Sequence, residues 1–393
     1  MTPPDLHDRI EYCNSLKINV LPSSCKLASH GYGSRADITG EPELHGVFGH
    51  ELLLGRLATS LASGRLPQTS LLVGPPGVGK QRVALWAAQG VLCDRGPGAP
   101  CGDCPSCGQV GRLGHPDLHW FIPIPRPKST EADRQVEEAR QLLGEAVAER
   151  RANPVYGRPD GLASHALASV RLLHRVVSVR PFQGPRRMVI VGNADRLVVQ
   201  EASQEAANAL LKVLEEPPPG TYLMLTTSEP QALLPTVRSR LVPIRVGGVG
   251  DEAVRRFLAK EVRPPLTRAD LERRVLAAEG SIGRALTTST DGGAEGAAER
   301  VLEAAGAGPG RSAQVALAQA PWAARGEFTA TLDALARRIR GGLVKRAEQD
   351  PPGARRLTAA LREVEEIRAA AQGNANPQLA LAVLTGRLRS LAA

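Results

Sequence analysis

The chain has 393 residues, of which 42% are hydrophobic and only 3% aromatic, and its formal charge is +9. That length calls for two or three domains. The scarcity of aromatics argues against base stacking as a way to hold nucleic acid, while the arginine-rich excess favours a polyanionic neighbour such as DNA. No run of eighteen apolar residues exists, so no membrane span is expected. Without a basic-then-apolar signal pattern at the N-terminus, the expected location is cytoplasmic.

Residues 1–43 mix polar residues, Gly and Pro with two lone cysteines, Cys13 and Cys25, and read as a loosely ordered extension. From there the pattern tightens. His50 to Ser63 is amphipathic, with Leu53, Leu57 and Leu61 on one stripe. Leu71-Leu72-Val73 reads as a short buried strand, and Gln81 to Val91 as a helix. Between them lies Gly74-Pro75-Pro76-Gly77-Val78-Gly79-Lys80, the setting of a phosphate-binding loop. Its glycines let backbone N–H groups turn inward, and the helix start adds partial positive charge. Gly74, Gly77, Gly79 and Lys80 are the candidate phosphate ligands. The full motif ends in Ser or Thr, whose hydroxyl helps hold Mg²⁺; here that position is Gln81. Two readings of the loop stand side by side: weak ATP or phosphate binding without Mg²⁺, or survival as a structural turn.

Four of the six cysteines follow, Cys93, Cys101, Cys104 and Cys107, spaced C-x7-C-x2-C-x2-C among glycines. Four thiolates at this spacing predict a closed, structural Zn²⁺ site with no open position for chemistry. The alternative is free thiols or a redox pair. With all four places taken, His115 and His119 read as packing or capping residues.

Leu118 to Ile124 is the next strand candidate. Lys128 to Arg151 reads as a charged helix, and with the Pro/Gly-rich stretch to Gly161 it forms an expected surface insertion, 128–161. Ser169 to Val177 is a helix, Arg180 to Arg187 a basic turn, and Met188 to Val191 an apolar strand. Glu201 to Glu216 is the clearest helix, stopped by three prolines. Tyr222 to Thr226 and Val242 to Val246 complete the strands. Strands alternating with helices predict an α/β fold with a doubly wound parallel sheet, its ligand site at the carboxyl ends of the strands. Beyond Gly250 the chain is helical, with a linker expected at Asp291-Gly292-Gly293.

Several stretches occur in this same order in bacterial clamp-loader AAA+ subunits. They are Gly74 to Lys80, the four cysteines, His115-Pro116-Asp117, Asn208 to Pro218, Arg238-Ser239-Arg240 and Asn374-Ala375-Asn376-Pro377. The chain resembles that family well over about His45 to Leu286. The resemblance implies an AAA+ module at 44–246 carrying a zinc module at 93–107, a helical lid at 247–290, and an all-α collar for oligomerisation at 295–393. It implies a place in a ring that sets the sliding clamp on primed DNA, with gamma/tau-type and delta-type subunits as partners. Ser239-Arg240-Leu241 sits where the family carries Ser-Arg-Cys, which makes Arg240 a candidate arginine finger acting in trans. The plainer reading is a surface arginine bordering a strand.

Active relatives carry Asp-Glu-Ala-Asp after the strand that ends here at Val191. This chain has Gly192-Asn193-Ala194-Asp195. Gly192 offers no metal ligand, and an amide is no base at neutral pH. With Gln81, three hydrolytic elements are missing, so an accessory subunit without ATPase activity is expected. Competing readings are an active gamma/tau-type ATPase and a zinc-dependent DNA-binding protein. Thr226 or Thr227 resembles a γ-phosphate sensor, and Gly280 to Arg284 the lid motif, with its arginine displaced by one residue.

Overall fold

The computed structural model describes residues 46–153, 163–197, 204–287, 293–319, 325–346, 349–372 and 375–392. The 1–43 extension with Cys13 and Cys25, the end of the 128–161 insertion, Asp291-Gly292 and Asn374 lie outside the described residues. Residue contacts divide the chain into two units, with the break at Thr287–Thr288.

In the first unit five short apolar runs become strands: β1 (Thr69–Val73), β2 (Leu118–Phe121), β3 (Arg187–Val191), β4 (Thr221–Thr227) and β5 (Val242–Arg245). They form one parallel sheet in the order β2-β3-β4-β1-β5. Successive side chains face opposite sides, and both sides are covered. Leu71, Val189, Val191, Leu223 and Leu225 join a core with helices Leu167–Ser178 and Gln204–Glu215. Leu72, Met188, Ile190 and Met224 join another with helices Glu51–Ala62 and Lys80–Leu92. Strands buried on both faces have no polar alternation, which is why the central strands β1, β3 and β4 carry continuous apolar runs in the sequence, whereas the edge strand β5 is mostly exposed.

The charged helix forms over Ala132–Ala152, but it is not the surface insertion the sequence suggests. Val136 and Ala139 enter one core and Val147 the other, and Arg150 is buried with them. Most of its other charged residues occupy the remaining faces, so composition hides the buried stripe.

Three helices, Asp251–Glu261, Arg268–Ala278 and Ile282–Thr287, close the first unit around Val254, Phe257, Leu258, Val275 and Ala285. Phe48 meets Phe257 edge-on, with ring centroids 5.3 Å apart.

The second unit is helical: Gly293–Ala307, Pro309–Ala318, Arg325–Arg346, Pro351–Gln372 and Pro377–Ala392. Phe328, Leu332, Leu335, Val364 and Leu384 form its core. Many of its arginines are committed to partners on neighbouring helices. Arg340 pairs with Glu365 at 2.9 Å, and Arg387 with Glu363 and Glu366 at 2.7 and 2.9 Å. Among the described residues no helix is long and apolar enough to cross a membrane.

Candidate functional site

The glycine-rich loop leaves the carboxyl end of β1 and enters helix Lys80–Leu92, as strand–turn–helix spacing requires. Gly77 takes φ +75°, a left-handed backbone natural to glycine. A Cβ there would lie 2.4 Å from Ser281 Oγ and 3.0 Å from Gly283 Cα. The segment before helix Ile282–Thr287 therefore rests directly on the loop. Gly283 N–H donates to Gly77 O at 2.9 Å, and Ser281 Oγ to Pro76 O at 2.9 Å. On another side His50 Nε2 donates to Val78 O at 2.8 Å.

Lys80 is buried, and its ammonium turns back onto its own loop. Nζ donates to Gly74 O at 2.9 Å, Pro75 O at 2.7 Å and Ser228 Oγ at 2.9 Å. An ammonium has three donors, so a phosphate reaching this lysine has to displace protein acceptors.

The positions that depart from a metal-dependent site form one hydrogen-bonded cluster. Gln81 Nε2 donates to Asn193 Oδ1 at 2.7 Å, and Arg150 donates to Gln81 Oε1 at 2.8 Å. The Gln81 amide lies against Gly192, where a Cβ would come within 2.8 Å of Oε1. Arg150 stacks on Trp120, 4.6 Å from the ring centroid. Asn193 takes φ +55°, and its N–H donates to Thr226 Oγ1 at 3.0 Å. Gly192 O accepts from His165 Nε2 at 2.7 Å, and burial pushes the His165 pKa down to about 4. Thr227 Oγ1 donates to Asp195 at 2.8 Å and accepts from Glu229 N–H at 3.0 Å. Both threonines that resemble a phosphate sensor are thus engaged within the protein. The set at positions 81, 192, 193 and 150 is two amides, a glycine and an arginine, which does not fit Mg²⁺. Arg284 of the lid-like motif pairs with Glu279 at 2.5 Å.

Arg240 lies at the other end of the sheet. Its carbonyl accepts from Thr69 Oγ1 at 2.9 Å, at the first residue of β1, whereas the glycine loop follows the last. A five-residue strand separates them, about 15 Å at the usual rise. Its guanidinium is partly exposed and gripped by Glu215, with Nε to Oε1 at 2.7 Å, and by Thr236 O at 2.8 Å.

The four cysteines converge. Their sulfurs all lie within 4.8 Å of one another, with Cys93–Cys101 at 3.6 Å, Cys101–Cys107 at 3.9 Å and Cys93–Cys104 at 4.0 Å. Four sulfurs about 2.3 Å from one zinc stand about 3.8 Å apart in a tetrahedron, so the donor set fits. Cys104 Sγ accepts from Cys107 N–H at 3.3 Å. Burial pushes the Cys107 thiol up. The cluster hangs on the far end of the glycine-loop helix. Gln89 donates to Cys107 O at 3.1 Å, and Gly98 N–H to Gly90 O at 3.3 Å. His115 lies outside the four-sulfur group, and its Nδ1 accepts from Asp117 N–H at 3.0 Å.

Arg150 escapes the sequence reading, and Asp117, named there only within His115-Pro116-Asp117, has no role of its own in it. Arg150 carried one signal, for Val136, Ala139, Leu143, Val147 and Arg150 recur at helical spacing on the buried stripe. A charge in phase with apolar residues is worth pursuing. Asp117 is buried and accepts from Phe182 and Gln183 N–H at 2.6 and 2.7 Å, fixing the basic turn.

Residues 49–249 match the family described as DNA polymerase III, delta subunit. The chain is 28% identical over 213 residues to DNA polymerase III subunit delta' of Bacillus subtilis, covering 54% of this chain and 52% of that protein. It is 34% identical over 174 residues to subunit delta' of Pseudomonas aeruginosa, covering 44% and 40%. It is also 29% identical over 213 residues to subunit tau of Escherichia coli, covering 54% and 26%. The chain thus spans about half, or less, of the length of the curated relatives it matches.

Proposed function

The chain belongs to the DNA polymerase III delta-subunit family, and from that membership we propose that it is a delta-prime-type, non-hydrolysing subunit of a clamp loader. In this reading its AAA+ module spans 44–246, its lid 247–290 and its oligomerising collar 295–393. It assembles with gamma/tau-type and delta-type subunits and helps set the sliding clamp on primed DNA. Contact with DNA is made through phosphates within the ring, and is therefore salt-sensitive.

One observation carries the reading: Arg240 sits at the amino end of β1, while the glycine loop leaves its carboxyl end. A single chain cannot bring the two together, so Arg240 serves a nucleotide held by a neighbour. A fixed guanidinium stabilises charge growing on a transferring phosphoryl group. Cys93, Cys101, Cys104 and Cys107 hold a structural Zn²⁺, which supplies a cross-link and no chemistry.

Similarity to tau favours a second reading, an active motor ATPase. The Gln81–Asn193–Arg150 cluster weighs against it, because no carboxylate among them can take a metal or activate water.

Reconstitution tests both. The isolated chain should not turn over ATP with Mg²⁺. Added to gamma/tau-type and delta-type subunits, it should raise clamp-stimulated ATPase, and Arg240→Ala should abolish most of that gain. Turnover by the chain alone would establish the motor reading, and an unaffected Arg240→Ala complex would remove the finger.

A further inference from the structure

We propose that Arg150 is the residue that keeps Mg²⁺ out of this site, and that the lost ligands at positions 81, 192 and 193 are not sufficient to explain its exclusion. The inference rests on the non-hydrolysing reading and deepens it. In metal-dependent relatives of this loop, the residue after the lysine and the acid at the end of the third strand hold the ion between them. Here those positions are Gln81 and Gly192, and they touch: the Gln81 amide fills the space over the glycine. The same amide oxygen is held by Arg150 at 2.8 Å. The guanidinium of Arg150, a residue only 7% exposed, therefore stands beside the place a divalent cation would take.

A guanidinium keeps its charge at every pH a protein meets, and like charges in a poorly solvated site repel strongly. Arg150 is fixed as well as charged. It comes from the buried stripe of helix Ala132–Ala152 and lies over the Trp120 ring, 4.6 Å from its centroid. Restoring the acid at position 192 would give this cation a carboxylate partner in place of the metal. The restored ligands would thus be consumed by an internal ion pair.

The test is epistatic and uses the full chain. Gln81→Thr, Gly192→Asp and Asn193→Glu are combined, with Arg150 kept or changed to Gln. Binding of the fluorescent nucleotide mant-ADP is titrated with Mg²⁺ and with EDTA. With Arg150 present, Mg²⁺ should change the apparent Kd less than twofold. With Arg150→Gln added, Mg²⁺ should tighten binding at least tenfold. Arg150→Lys, which keeps the charge, should behave like the arginine. Should Arg150→Gln not fold, Arg150→Met preserves the stack on Trp120 and replaces it in the comparison.

The proposal is overturned if the triple variant with Arg150 intact already binds in a Mg²⁺-dependent way. It is equally overturned if removing Arg150 gives no Mg²⁺ effect. These outcomes are separate from the premise, which fails only if the unaltered chain hydrolyses ATP.

Discussion

Glu215 holds Arg240 by its Nε at 2.7 Å, across 25 residues of sequence. The acid belongs to the Leu-Glu-Glu-Pro-Pro stretch at the end of helix Gln204–Glu215, where the prolines stop the helix and leave the carboxylate at its rim. The guanidinium fork is thereby held in one orientation, and as the finger proposed above it would be aimed before a partner arrives. Preorganisation of this kind lowers the cost of the productive geometry.

In a reconstituted ring, Glu215→Gln should lower the partner's ATPase by roughly tenfold, as expected for a group mispositioned by a fraction of its length. Arg240→Ala should cost about 10³-fold. Arg240→Lys should not restore activity, because a point ammonium cannot reproduce the planar fork. Equal losses for Glu215→Gln and Arg240→Ala would indicate that Glu215 does more than aim its partner.

The cysteine cluster predicts one zinc per chain by elemental analysis. Cys107→Ser should release it and lower Tm by about 5–10 °C, corresponding to about 3 kcal/mol. The damage should be local. Gln89 and Gly90 anchor the cluster to the carboxyl end of helix Lys80–Leu92, so hydrogen exchange should accelerate there. The helix is 13 residues long, which puts its other end about 18 Å away. The glycine loop should therefore keep its protection. Loss of protection throughout the helix would mean that the metal supports the whole module.

What the sequence reveals, and what it hides, follows from the range of the interactions. The glycine loop, the five apolar strands and the four cysteines are local patterns, and each appears where its spacing places it. Gln81 and Asn193 also stand out, as departures from a familiar motif. That they bond to each other is invisible, because 112 residues separate them. Arg150 is hidden by its own helix, whose mean composition is charged although one stripe is buried. The contact of Ser281 and Gly283 with the loop joins residues about two hundred apart, and no periodicity encodes it.

That lid contact can be isolated with two glycines. Gly77 and Gly64 have similar left-handed backbones, φ +75° and +65°. A methyl at Gly64 meets nothing within 4 Å, whereas one at Gly77 strikes Ser281 Oγ at 2.4 Å. Gly64→Ala should therefore cost about 1 kcal/mol of backbone strain alone. Gly77→Ala should cost about 1–2 kcal/mol more and should speed exchange in helix Ile282–Thr287. Equal costs for the two variants would show that the lid gives way without resistance.

His165 makes the first unit sensitive to acid. Its Nε2 donates to Gly192 O, and burial, reinforced by the nearby Arg150 cation, holds its pKa at about 4 against 6.5 in an exposed chain. Between these values the unfolded chain takes up a proton that the folded chain refuses. Stability is therefore full above pH 6.5 and is lost as pH falls towards 4, reaching about 3 kcal/mol at the lower limit. At pH 5 the loss should be about 2 kcal/mol. Glutamine at this position can still donate to the Gly192 carbonyl but does not titrate. His165→Gln should accordingly flatten the slope of urea-unfolding free energy between pH 7 and pH 5, whatever it does to the value at pH 7. An unchanged slope would place the acid sensitivity in other groups.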